Sequence, residues 1–114
     1  MAIAKELLDG SDHFSVTELR CVIINGMPES RQDLLEILST ELNFPDYFGM
    51  NYDALLDVLC DMTWSNGKET LIIHVGVTDQ VPDFFRRYLD TLSAAKHLLA
   101  TQGNGDLLRS YLIP

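Results

Sequence analysis

Apolar and polar positions fall into blocks along the chain, and their periods predict strands and helices. A short apolar run over 19–24 ends at Asn25 and Gly26, which is typical of a buried strand closed by a turn. Ser30 then precedes leucines at helical spacing and begins a Ser-x-x-Asp pattern similar to a capping box. The pattern therefore predicts a first strand and a first helix over 31–42.

The middle of the chain predicts a second helix and a second strand. Pro45 and Gly49 interrupt the helical period, and Asn51 is well placed to cap a helix over 52–61. The run over 71–75 places apolar side chains on both faces of the predicted strand. Such a run is expected of a strand that is covered on both faces or that lies at the centre of a sheet.

The last third completes an alternation of strands and helices. Helical spacing continues over 82–102 until Gly103 breaks it, and either one long helix or two short ones would fit; 107–113 then predicts a third strand. This order favours a small α/β fold with a parallel sheet and right-handed crossovers. We expect one domain over 1–114, in which 1–18 form an N-terminal extension of uncertain structure.

Charge narrows the range of partners. Seventeen acidic residues against eight basic ones give a formal net charge of −9, which repels phosphate backbones and anionic membranes and attracts cationic proteins. We therefore expect a basic protein partner and no nucleic acid or membrane.

No apolar run approaches the length that spans a bilayer or forms a signal-peptide core, so we expect a cytoplasmic location. Most of the excess charge lies in the segment 25–66, whose one basic residue is Arg31 and whose acids are Glu29, Asp33, Glu36, Glu41, Asp46, Asp53, Asp57 and Asp61.

Several single residues have ordinary structural interpretations. Cys21 and Cys60 show no paired spacing, so we expect reduced and mostly buried thiols. His74 and His97 lie in predicted elements and are interpreted as packed or solvated side chains. Trp64 follows the second predicted helix. It lies either at the edge of the core or at the rim of a docking surface, and the sequence does not decide between the two.

Three aspartates define the candidate surface. Asp53, Asp57 and Asp61 lie at i, i+4 and i+8, and like charges at that spacing repel by a few tenths of a kcal/mol per pair. Local stability therefore does not explain the pattern, which fits either a solvated helix face or a docking surface for a cationic site. Tyr47 and Phe48 beside it favour docking, because aromatic residues next to charges are typical of interface hot spots; Phe48 is the better candidate for the core.

Catalysis and metal binding have weaker support. Asp53 and Asp57 could act as an acid–base pair, or bind a divalent ion with Asp46. However, the sequence has no EF-hand spacing, no paired His or Cys ligand motif, no phosphate-binding glycine loop and no nucleophile elbow. We therefore predict neither an enzyme nor a cofactor or metal site.

The loop and second helix resemble the barstar family. The resemblance lies in a Pro-acid-aromatic-aromatic-Gly loop that leads into an Asn-x-Asp-Ala-Leu-x-Asp helix, here Phe44-Pro45-Asp46-Tyr47-Phe48-Gly49-Met50-Asn51-Tyr52-Asp53-Ala54-Leu55-Leu56-Asp57. It extends over about 20–62, since the first strand and first helix match at similar separations. It implies a small parallel three-stranded sheet with packed helices, and an intracellular inhibitor that blocks the active site of a secreted microbial ribonuclease.

The resemblance also implies roles for individual residues. Tyr47 is similar to the loop aromatic that packs on the enzyme, and Asp53 and Asp57 to the helix acids that meet its catalytic and phosphate-binding cations. Gly49 and Asn51 would shape and cap the turn. The residues expected to bind the partner are Asp46, Tyr47, Gly49, Asn51, Asp53, Leu56 and Asp57.

The chain departs from the family pattern at three positions. Leu56 replaces a tryptophan and Met50 an acid of the best-known member, and Ala94 lies near the expected place of a further inhibitory glutamate. Asp61 lies one turn beyond the matched motif, so we expect it to contribute less than Asp57. A barstar-like module that binds a different basic protein therefore remains the alternative function.

Overall fold

Three parallel strands and three helices alternate along the chain in a computed structural model, which describes residues 19–61, 64 and 68–114. The predicted N-terminal extension lies outside the described residues. The elements are β1 (Leu19–Asn25), α1 (Arg31–Glu41), α2 (Tyr52–Leu59), β2 (Glu69–Val75), α3 (Asp83–Thr101), a 3-10 helix (Gly105–Leu107) and β3 (Leu108–Ile113).

The strands form one parallel sheet in the order β1-β2-β3. Ile23 of β1 pairs with Ile73 of β2, which pairs with Tyr111 of β3. The predicted α/β fold is therefore confirmed. Of the two interpretations of the apolar run in β2, the central position in the sheet is the correct one.

Within the described residues the helices cover one face of this sheet. On that face Thr70, Ile72 and His74 alternate along β2 and are buried. On the other face Leu71 and Ile73 are only half-buried. All three helices contribute to the core cluster on the covered face, through residues such as Leu34, Leu35, Leu38, Leu55, Val58, Phe85, Tyr88 and Leu92.

Local signals set most of the helix boundaries. The Ser30 Oγ accepts the Asp33 backbone N–H at 3.1 Å, which confirms the predicted cap of α1. The segment predicted over 82–102 is one continuous helix, and it ends before Gly103, whose φ of +77° lies in the left-handed region. The prediction that α2 reaches residue 61 is wrong, because the helix ends at Leu59.

The two cysteines are free thiols, as predicted, but they are half-buried where we expected mostly buried side chains. Burial raises the pKa of both thiols, and the carboxylate of Asp57 adds to the effect at Cys60. Thiolate is the reactive form, so these surroundings favour structural roles.

A histidine and a tyrosine form a polar contact inside the core. His74 is fully buried, and its Nε2 lies 2.8 Å from the Tyr88 hydroxyl. Its ring also packs edge-on against Phe85, with 5.1 Å between the centroids. Nδ1 of His74 is buried without a hydrogen-bond partner among the described residues. His74 is therefore a packed core histidine, and burial lowers its pKa from 6.5 to about 4.

We predict that this histidine makes the fold sensitive to acid. The unfolded chain binds a proton at His74 below about pH 6.5, whereas the folded chain binds it only near pH 4. Stability from neutral His74 is therefore complete above pH 6.5 and is lost as the pH falls towards 4. At about 1.4 kcal/mol per pKa unit the loss amounts to about 3 kcal/mol.

Urea midpoints between pH 7 and 4 measure this loss in the wild type and in His74→Gln. His97→Gln removes an exposed histidine and serves as the control. The variant without His74 should lose less stability on acidification than either of the other two proteins. Parallel curves for all three would contradict the prediction, as would protonation of His74 near pH 6.5 in an NMR titration.

Candidate protein-binding site

A tight turn presents the acid and the aromatic ring of the loop. The Phe48 backbone N–H donates to the Pro45 carbonyl at 2.9 Å, which places Asp46 and Tyr47 at the two corners. Tyr47 is 70% exposed, whereas Phe48 is partly buried and packs on Phe44 with 4.9 Å between ring centroids. Phe48 is therefore the core ring, as predicted, and Tyr47 is available to a partner.

Trp64 belongs to the edge of the core. Its ring lies 5.1 Å from that of Phe44, and its Nε1 donates to the Asn43 carbonyl at 3.1 Å. The Arg20 guanidinium stacks 4.6 Å from the Trp64 ring and donates to its carbonyl. Trp64 is partly buried and packs against the core cluster, as one of its two interpretations expects.

The turn before α2 works differently from the expectation that Gly49 would shape it. The residue with a left-handed φ is Met50, at 54°, and Gly49 lies outside that region. A Cβ at Gly49 would lie 3.5 Å from both the Ala54 Cβ and the Asn51 Nδ2, an ordinary contact distance. The fold therefore does not require glycine at position 49, although its carbonyl accepts a hydrogen bond from Asn51 Nδ2 at 3.2 Å.

Asn51 caps α2 as predicted. Its Oδ1 accepts the Ala54 backbone N–H at 2.7 Å, and its carbonyl accepts the Leu55 N–H. The amide thus makes one hydrogen bond to the loop and one to the helix. This fixes the direction in which α2 leaves the loop.

The exposed side of α2 carries two carboxylates. Asp53 and Asp57 are exposed and one helical turn apart. Within the described residues neither forms an ion pair or a hydrogen bond. Asp53 lies in the first turn, where the helix dipole favours a negative charge, but Asp57 gains little from it.

Asp61 lies beyond the end of α2 and contacts the loop. The Tyr47 hydroxyl donates to Asp61 Oδ2 at 2.7 Å, across fourteen positions of sequence. This hydrogen bond is the main reason that the pKa of Tyr47 is raised, with desolvation and the Asp61 charge adding to it. The expectation of three carboxylates stacked on one helical face is therefore wrong for the third.

A small cavity lies between the loop and α2. It has a volume of about 180 Å³, and Tyr47, Asp57 and Asp61 line it together with less polar side chains. The complete lining is Tyr47, Phe48, Ala54, Asp57, Val58 and Asp61. Of the seven residues expected to bind a partner, the structure therefore brings Tyr47 and Asp57 to one cavity.

The other five expected residues do not line this cavity. Asp46, Gly49, Asn51 and Asp53 are exposed. Leu56 is partly buried and packs against the core cluster, so only part of its side chain is available. On α3, Ala94 is exposed and places no carboxylate at that position.

α2 rests on α3 through two contacts that the sequence did not reveal. The Tyr52 hydroxyl donates to the Phe84 carbonyl near the start of α3. The Cys60 thiol lies 3.7 Å from the Ala95 carbonyl further along the same helix. Both ends of α2 are thus attached to a long helix whose inner side is buried in the core, which gives the carboxylates a firm base.

Comparison with known proteins shows the family of the chain. A family model described as Barstar (barnase inhibitor) matches residues 20–108. No curated protein and no solved structure matches the chain. None of the helices in the described ranges has the length and apolar composition needed to cross a bilayer. The match extends over more than half of the chain and includes the loop, α2 and α3, so the chain belongs to the Barstar (barnase inhibitor) family.

Proposed function

We propose that the protein inhibits a basic ribonuclease by inserting the exposed side of α2 and the Tyr47 loop into its active site. The observation that carries the proposal is a pair of exposed carboxylates on Asp53 and Asp57, which have no partner in the described part of the chain, beside a 70% exposed tyrosine. The family to which the chain belongs is named for inhibition of barnase. The inhibitor would act in the cytoplasm on an enzyme destined for secretion.

The charge distribution supports an active site as the target. A ribonuclease binds RNA phosphates with cationic side chains, and carboxylates held on a rigid helix can occupy the same positions. Asp53 and Asp57 repel each other in the isolated protein, and this repulsion is relieved when cations approach. The surrounding acidic segment would attract such an enzyme over a long range.

The Tyr47 ring would exclude water from the charge pairs that the carboxylates form. Charge pairs contribute most when water is excluded around them, and a large ring at the rim can exclude it. Tyr47 occupies that place beside Asp57, since both line the same cavity. Leu56 would offer a smaller apolar contact, and the exposed Gly49, which has no side chain, would let a partner approach the backbone of the turn closely; Asn51 is exposed beside it.

The test of function starts from the native cell. The tagged chain captures partners from secreted and cytoplasmic proteins, and the captured protein is assayed for RNA cleavage with and without the inhibitor. A basic ribonuclease whose cleavage stops at a one-to-one ratio supports the proposal. A basic partner without ribonuclease activity would favour the alternative, an interaction module for a different basic protein.

Asp57→Ala should weaken the complex by at least about 2 kcal/mol, or about 30-fold, because it removes a central carboxylate from the interface. The urea midpoint should stay level or rise slightly, since the exposed Asp57 has no partner in the described part of the chain. Asp106→Ala is the matched control, because it removes an exposed acid from the 3-10 helix beyond α3. Lost stability with unchanged binding would show that Asp57 serves the fold.

Inhibition should be competitive with RNA, and association should slow as salt rises. The Debye length falls from about 30 Å at 0.01 M to about 8 Å at 0.15 M salt, which screens the acidic segment. Stopped-flow association at both salt concentrations and steady-state inhibition at several RNA concentrations measure the two effects. An association rate that ignores salt, or inhibition that added RNA cannot relieve, would argue against carboxylates in the phosphate sites.

Gly49→Ala separates the fold from the interface. The added Cβ has room in the isolated protein, so the urea midpoint should change by less than about 0.5 kcal/mol. In a tightly packed interface an extra methyl group typically costs at least about 1 kcal/mol, so the complex should weaken about fivefold or more. Calorimetry of binding measures this. Unchanged affinity would place Gly49 outside the interface.

A further inference from the structure

A hydrogen bond restrains the Tyr47 ring, although most of the side chain is exposed. Exposed tyrosine side chains usually exchange between rotamers, but the Tyr47 hydroxyl is bonded to Asp61 Oδ2 at 2.7 Å. The acceptor is a carboxylate, so this hydrogen bond is stronger than one between neutral groups. The loop and the segment after α2 are therefore joined over the carboxylate-bearing helix.

Asp61 is itself well placed to hold the ring. It directly follows Cys60, the C-terminal cap of α2, and its backbone N–H donates to the Val58 carbonyl at 3.1 Å. Cys60 contacts the Ala95 carbonyl of α3, so the residue next to the acceptor is attached to the helices and not to the loop. The ring then closes one side of the 180 Å³ cavity that Asp57 also lines.

We propose that Asp61 is a positioning residue, which holds the Tyr47 ring beside Asp57 before a partner arrives; this rests on the proposed inhibitor function. An anchor that is already ordered loses less conformational entropy on binding than one that must be immobilised. Each such side chain changes affinity by about two- to tenfold. Asp61 thus acts through Tyr47, and this distinguishes it from Asp53 and Asp57, which would meet the partner's cations.

The first measurement uses the uncomplexed protein. With ring-labelled tyrosine, NMR reports the mobility and the titration of the Tyr47 ring in the wild type, in Asp61→Ala and in Asp61→Asn. Asp61→Ala should make the ring more mobile and bring the pKa of Tyr47 down towards its ordinary value. Asp61→Asn should keep the ring ordered, since the amide oxygen still accepts the hydroxyl. A ring equally ordered in Asp61→Ala would overturn the inference.

The second measurement is a double-mutant cycle with the ribonuclease recovered in the capture experiment. Tyr47→Phe keeps the ring and loses the hydroxyl, so it leaves Asp61 in place and tests the same hydrogen bond from the other side. Each of Tyr47→Phe and Asp61→Ala should raise the dissociation constant about two- to tenfold, and the double variant no further. Asp61→Asn should restore most of the loss, and Asp106→Ala corrects for the removal of one charge.

The outcomes separate the two proposals. Additive losses would show that Asp61 contacts the partner directly, and a loss no larger than that of Asp106→Ala would show no positioning; either overturns the inference while inhibition stands. If the wild-type chain captures no ribonuclease, the proposed function fails and the role of Asp61 in binding fails with it. Urea midpoints of all variants identify any loss that arises from unfolding.

Discussion

Parallel pairing of the three strands is the constraint on which the rest of the structure depends. Strands that run in the same direction cannot be joined by a tight hairpin, so each connection must cross over the sheet. Here α1 and α2 form the first connection and α3 the second. All three pack on the same face of a sheet with β2 at its centre, which brings α2 against α3 and leaves its other side exposed.

In this arrangement the two sides of the short helix α2 have different roles. The buried side of α2, with Leu55, Val58 and Leu59, supplies packing energy, and the contacts to α3 hold both of its ends. The exposed side is then available for charges such as that of Asp57, which gains little from the helix dipole. Such charges are tolerated because eight residues of helix are stabilised by packing and not by their own surface.

The sequence was sufficient wherever the structure follows from local chemistry. Ser30 and Asn51 cap their helices through contacts three residues away, and the apolar periods locate every strand within two residues. The sequence did not predict features that depend on contacts between residues far apart in the chain. Apolar spacing after Asn51 suggested a helix to about residue 61, but the helix ends at Leu59, and the contact of Asp61 with Tyr47 joins residues fourteen apart. The left-handed Met50 beside Gly49 was equally hidden, since glycine is the usual residue for that conformation.

The position of β3 at the border of the sheet has a consequence for how copies of the protein behave towards one another. Tyr111, Leu112 and Ile113 follow one another along this strand, each about half exposed, and one side of its backbone has no neighbouring strand within the described residues. A border of this kind is a template for strand addition, which natural proteins suppress with charge. The net charge of −9 keeps like molecules apart at neutral pH. The acidic residues that give the chain this charge therefore also oppose self-association in concentrated solution, and neutralising some of them for binding studies lowers that barrier.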